Sequence, residues 1–220
     1  MSIETTGLAK ANTFQATTAT VAGFVKNDPS GNLLLGEPGS AWTLHQAFDL
    51  TADVNSAGGG TVVNFTGLNG DVDEVYLLLA RFVIPASSAT NMSLAPNGVV
   101  SDPNYLATVL VQRENGTTGL FAGTPLVISQ SNGGHPDTTQ FVRCYFHVKT
   151  GTFRFYNCQQ LTAPIGSSAS FHFGINYQGV WRDTVTNVTS LAIVTPAGGT
   201  PTIAASVANP ASFYLYKLDN

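Results

Sequence analysis

Asp71, Asp73 and Glu74 form the one dense carboxylate cluster of the chain. A cluster of this kind could hold calcium, which takes several oxygen ligands. It could also supply one side of a glycosidase carboxylate pair, which needs a facing partner at a defined separation. The spacing lacks the alternating Asp/Asn and closing Glu of a calcium loop. The favoured reading is a solvated turn before the apolar run Val75–Ile84. His45, His135, His147 and His172 show no His-Glu-x-x-His or close His/Cys pattern, and no Gly-x-Ser-x-Gly elbow occurs. Gly58-Gly59-Gly60 runs into Thr61-Val62 rather than Lys-Ser or Lys-Thr, so it reads as a flexible joint and not a phosphate loop. No catalytic residue, metal ligand or cofactor is assigned. The expectation is a protein that is not an enzyme, with a polysaccharide depolymerase as the weakest alternative.

Aromatic residues are more suggestive. Tyr145, Phe146, Phe153, Phe155 and Tyr156 crowd one stretch, and Tyr177, Trp181 and Arg182 another. Tyr and Trp combine an apolar face with a polar edge and can stack on sugars. Aromatics alternating along strands more often fill a core or a subunit interface. Both readings stand, with Tyr177, Trp181, Arg182 and His135 as the candidate glycan-binding set. Cys144 and Cys158 flank a turn at Thr150-Gly151, on the expected hairpin Phe141–Val148 and Phe153–Gln159. A three-residue loop would set them opposite each other; a two-residue loop would offset them by one. The favoured reading is two buried reduced thiols packing as small apolar groups.

The elements that must position these residues are strands. Charged residues make up only 10% of the 220 and hydrophobic residues 43%, with a net charge of -4. That apolar content and low charge exclude an intrinsically disordered chain. The polar surface must come from Ser, Thr, Asn and Gln, which suits rigid extracellular or virion proteins. Nine scattered Lys and Arg residues do not make the clustered basic surface that nucleic acid requires. No apolar run approaches the ~20 residues of a membrane span. Met1-Ser2-Ile3-Glu4-Thr5 does not resemble a secretory signal, so assembly in the cytoplasm is expected, with no membrane insertion.

Residues 1–20 are Thr/Ala-rich and read as an arm. Gly23–Gly36 carries two apolar runs around Asn27-Asp28-Pro29-Ser30-Gly31-Asn32, a strand-turn-strand signal. One hairpin cannot stand alone in water, so Phe24, Val25, Leu33, Leu34 and Leu35 are expected to be covered by other copies. Glu37-Pro38-Gly39-Ser40 marks a boundary. Short apolar runs closed by turn residues follow: Ala41–Leu50, Thr61–Phe65, Val75–Ile84, Met92–Leu94, Tyr105–Arg113, Leu126–Gln130, the cysteine hairpin, Ala169–Tyr177, Val188–Thr195, Thr202–Val207 and Ser212–Leu218. With no amphipathic helix, the expectation is an all-β, jelly-roll-like β-sandwich. Residues 1–40 would form an anchoring arm and short stalk, and residues 41–220 the head.

Three stretches together resemble the fibre proteins of tailed bacteriophages. The first is Gly23-Phe24-Val25-Lys26 through Gly31-Asn32-Leu33, similar to a short shaft unit. The second is Phe65-Thr66-Gly67-Leu68-Asn69-Gly70-Asp71-Val72-Asp73 leading into Tyr76-Leu77-Leu78-Leu79, with Ala95-Pro96-Asn97-Gly98 downstream. The third is the ending Ser212-Phe213-Tyr214-Leu215-Tyr216-Lys217-Leu218. Trp181-Arg182-Asp183 with Val188-Thr189-Ser190-Leu191 fits the same setting. The resemblance implies a structural protein of the virion surface, commonly trimeric, bound to other virion proteins through residues 1–40 and able to adhere to host glycans. A single shaft unit favours a short fibre or a decoration protein of capsid or tail over a long tail fibre. A lectin-like receptor-binding module is the alternative reading.

Overall fold

The computed structural model describes residues 24–27, 33–36, 41–55, 60–85, 90–100, 102–113, 118–123, 126–131, 137–164, 173–195 and 202–219. The expected arm 1–20, the turn 28–32, the joint at Gly58-Gly59, His135 and His172 lie outside these residues. In chain order the strands are β1 (Phe24–Asn27), β2 (Leu33–Gly36), β3 (Ala41–Leu50), β4 (Val54–Asn55), β5 (Gly60–Thr66), β6 (Val75–Ile84), β7 (Thr90–Pro96) and β8 (Tyr105–Arg113). Then come β9 (Thr118–Gly123), β10 (Leu126–Ser131), β11 (Thr138–His147), β12 (Arg154–Pro164), β13 (Phe173–Trp181), β14 (Ser190–Thr195), β15 (Thr202–Ile203) and β16 (Ala211–Asp219).

The chain divides into two compact units, Met1–Ala41 (with Asn220) and Trp42–Asp219. In the first, β1 and β2 pair antiparallel, with Val25 opposite Leu35 and Lys26 opposite Leu34. This is the hairpin expected from its turn residues. The burial of Phe24, Val25, Leu33, Leu34 and Leu35 lies outside what is described.

The second unit is a β-sandwich. One sheet has eight strands in the order β3-β16-β6-β11-β12-β13-β8-β9, the other four in the order β10-β7-β14-β5. A two-stranded ribbon pairs β4 with β15. Every pairing with a described register is antiparallel. The four strands of the small sheet are far apart in sequence, so the chain passes repeatedly between the layers.

Alternation along each strand builds the core. In β6, Tyr76, Leu78, Ala80, Phe82 and Ile84 are buried, while the residues between them are half-buried. In β11, Val142, Cys144 and Phe146 point inward, and Phe141, Arg143 and His147 are exposed. Across the layers they meet Phe65, Met92, Leu94, Ile128, Leu191 and Ile193 in one cluster. A period-2 strand with one covered face gives this pattern. The inner face also holds a polar network at one end of β11 to β13. Gln160 Nε2 donates to Gln140 Oε1 (2.5 Å), Thr162 Oγ1 donates to the same oxygen (2.7 Å), and Tyr177 Oη donates to Gln160 Oε1 (2.5 Å). These buried side chains hydrogen-bond to one another, which offsets the cost of taking them out of water.

The cysteines correct an expectation. Cys144 and Cys158 are disulfide-bonded rather than reduced. Gly151, at φ 89°, lies in the connection between His147 and Arg154, and the register sets Cys144 directly opposite Cys158 with Cα atoms 4.0 Å apart. Cys144 opposite Cys158 is one of the two alignments that the turn residues allow.

Gly179 explains how closely β13 and β12 pack. A Cβ there would strike the Tyr156 ring and the Leu106 carbonyl oxygen. Tyr156 is itself buried. Gly179→Ala is therefore expected to lower stability by roughly 1–3 kcal/mol through overpacking, read as a shift of the urea midpoint.

Candidate functional site

The inner faces of both sheets are committed to the core. Chemistry is left to the outer face of the large sheet, where β6, β11, β12 and β13 lie side by side. Register assembles rows across it. One row runs Tyr214, Leu79, Arg143, Gln159, Asn176. The next runs Tyr216, Leu77, Tyr145, Asn157, Gln178. Apolar rows flank them. Phe141 faces Leu161 on one side, at 45% and 62% exposure. On the other side Phe155 faces Val180, and Val180 faces Leu106, with Phe155 and Leu106 at 55% and 47% exposure.

Arg143, Tyr145, His147, Asn157 and Gln159 line an open pocket of about 360 Å³. It continues into a groove of about 810 Å³ that shares Arg143 and Gln159 and is lined further by Leu79, Phe141, Leu161 and Tyr214. The Arg143 guanidinium carbon lies 4.8 Å from the Tyr145 ring centre, and Arg143 Nη2 donates to Tyr145 Oη. Trp42 approaches the other aromatic neighbourhood of that ring, with centroids 6.0 Å apart. No residue lining either hollow is Asp or Glu. Arg143 makes no ion pair among the described residues.

Two of the residues expected to bind glycan are core residues. Tyr177 is fully buried in the glutamine network. Trp181 is 1% exposed, donates from Nε1 to Asp102 Oδ2 (2.8 Å) and lies under Arg154, whose guanidinium carbon is 4.7 Å from its ring centre. Neither ring offers a face for stacking. Arg182 is exposed next to them. The structure does not gather Tyr177, Trp181 and Arg182 into one open site. Residues overlooked by the aromatic count, Arg143, Asn157 and Gln159, form the pocket instead. The signal was their strict alternation with Val142, Cys144, Tyr156 and Cys158.

Of the acidic cluster, Asp71 and Glu74 are exposed and only Asp73 is buried. Asp73 accepts from Tyr76 Oη and from Asn69 N (3.2 Å), and pairs with Lys217 at 3.4 Å. Burial, reinforced by Asp73, pushes the Tyr76 phenol well above its ordinary pKa. No group of three or more His, Cys, Asp or Glu among the described residues is arranged to hold a metal.

Arg154 anchors the end of the hairpin that carries the pocket. Its side chain is fully buried. Nε donates to Val148 O (3.2 Å), Nη1 to Asp183 O and Nη2 to Thr186 O, with the Asp183 carboxylate 3.8 Å away. Burial lowers the pKa of Arg154, against Asp183 and Asp71, which raise it. Burial raises that of Asp183, but the N–H groups of Thr186 and Val185, at 3.0 and 2.8 Å, and then Arg154 lower it further. Its net position is below the ordinary carboxylate range. A depressed folded pKa stabilises above the unfolded value, about pH 4, and that stabilisation is lost as pH falls through the folded value. Asp183→Asn should therefore narrow the difference in melting temperature between pH 7 and pH 3.

No family model, curated protein or solved structure matches this chain.

Proposed function

We propose that this chain is a non-enzymatic structural protein of a virion surface, a short fibre or decoration protein that assembles as a homotrimer. Residues 1–40 anchor it to other virion proteins, and the sandwich is the exposed head. The observation that carries the reading is the apolar row Phe155, Val180 and Leu106, left open on three adjacent strands. A contiguous apolar row on a sheet face is a surface that self-association covers, and in a trimer each copy's row would lie against a neighbouring copy. The resemblance of residues 23–33, 65–98 and 212–218 to phage fibre proteins supplies the setting, and the acid-poor, amide-rich surface suits an assembled particle.

Light scattering on the full-length chain tests the reading. A species of three times the 23.1 kDa chain mass is expected. Phe155→Ser with Leu106→Ser should weaken assembly at least roughly tenfold, since buried aromatic anchors dominate interfaces. A strict monomer at every concentration would overturn the proposal.

A further inference from the structure

We propose that the pocket of Arg143, Tyr145, His147, Asn157 and Gln159 binds a carboxylate-bearing saccharide. This inference names a ligand for the exposed head, and it rests on that reading only for where the saccharide comes from. The pocket's charge is opposite to the chain's. The protein has 13 acidic against 9 basic residues, yet Arg143 and His147 line this hollow and no carboxylate does. An anion is the complementary occupant.

Arg143 is the group that would hold it. A guanidinium presents a planar fork matched to a carboxylate. This one is exposed, without an acidic partner among the described residues, and held against the Tyr145 ring by stacking and by its bond to Tyr145 Oη. Its fork is thus oriented before a ligand arrives, which lowers the entropy lost on binding.

The rest of the pocket speaks for a sugar. Asn157 and Gln159 each carry a donor and an acceptor, as sugar hydroxyls do. They stand two residues apart on one strand, about 6.5 Å along the same face, and Asn176 and Gln178 extend the amides onto β13. Tyr145 adds an aromatic ring to the lining. The volume of about 360 Å³ falls at the low end of ligand clefts, roughly 300–1,000 Å³, and the adjoining groove leaves room for further sugar units. A nucleic acid would need many more cations than Arg81 and Arg143. An extended peptide adding to the sheet would need a free edge, and β11 and β12 are both paired on both sides.

Calorimetry on the full-length protein with trigalacturonate and with 3′-sialyllactose tests this, against galactotriose and lactose as neutral counterparts. At least one acidic probe should bind roughly tenfold or more tightly than its neutral counterpart. Arg143→Gln should remove that difference, and Arg143→Lys, a point charge without the fork, should restore only part of it. Asn157→Ala should weaken the acidic and neutral sugars alike. The inference is overturned if neither acidic probe binds saturably, if acidic and neutral sugars bind equally, or if Arg143→Gln binds as the parent does. Equal binding of an acidic hexapeptide would overturn its saccharide half. Arg143 is on the surface, so its variants should keep the parent's circular dichroism and mass. A monomer that still binds the acid would overturn the assembly reading alone; an intact trimer that does not would overturn this inference alone.

Discussion

Arg154→Met should cost roughly 3–5 kcal/mol, the penalty expected when one partner leaves a buried, hydrogen-bonded charge cluster. The size follows from what is orphaned. Arg154 satisfies the carbonyl oxygens of Val148, Asp183 and Thr186 at once, and it covers Trp181. Methionine fills much of the volume but offers no donor, so up to three carbonyls lose a partner at roughly 1–3 kcal/mol for each that water cannot reach. The segment after β13 is also bound to the rest of that end of the sandwich by Leu68 N to Thr189 O and Gly70 N to Val188 O, both 3.1 Å, so the loss should spread there. For a chain of this length each kcal/mol moves the melting temperature by about 2–4 °C, and a drop of more than about 6 °C is expected. Arg154→Lys should recover little, because one ammonium cannot reach three carbonyls set in a fork. A loss under about 1 kcal/mol for Arg154→Met would show that the cluster is wetted and that the hairpin is held elsewhere.

The same residue shows where sequence reasoning stopped. Alternation with Tyr156 and Cys158 puts Arg154 on the inner face, but nothing local says what satisfies its charge there. That depends on carbonyls from residues 183 and 186 arriving from another part of the chain. By contrast β3, β6 and β8 have the boundaries read from their apolar runs, Ala41–Leu50, Val75–Ile84 and Tyr105–Arg113. Long runs bounded by Gly, Pro and Asn carry their own limits. Thr118–Gly123 carries Gly119 and Gly123 within six residues, a weak strand signal of its own, and it pairs with β8 at the sheet edge. The pocket was half legible. Alternation in β11 separates Arg143, Tyr145 and His147 from the core side. Which residues of β6, β12 and β13 stand beside them depends on register, and a one-residue slip would reverse every face. Tyr177 and Trp181 failed as site residues for the same reason: aromatic content does not say which face of a strand is covered.

Reducing the Cys144–Cys158 bond should lower stability by about 3 kcal/mol, the chain-entropy expectation for a closed loop of roughly 15 residues. The two cysteines are 14 residues apart in sequence. The measurement is urea unfolding of one preparation with and without reductant, which avoids the buried hydroxyl that a serine would introduce. The urea midpoint should fall, and the dependence on urea should steepen, because an unfolded chain without the cross-link exposes more surface. The fold itself should survive. β11 and β12 are interior strands, held on their far sides by β6 and β13 over nine or more paired residues each, and both cysteines pack in the core as apolar groups. Survival matters for the proposed setting. If the chain assembles in a reducing cytoplasm, where thiols stay reduced, the sandwich has to form before the bond, and later oxidation outside the cell would stiffen the hairpin carrying Arg143, Tyr145, Asn157 and Gln159. Reduced protein is accordingly expected to keep its assembled mass and its secondary structure while unfolding at lower urea. If it unfolds outright in reductant, the sandwich depends on the bond, and assembly in a reducing compartment is ruled out for this chain.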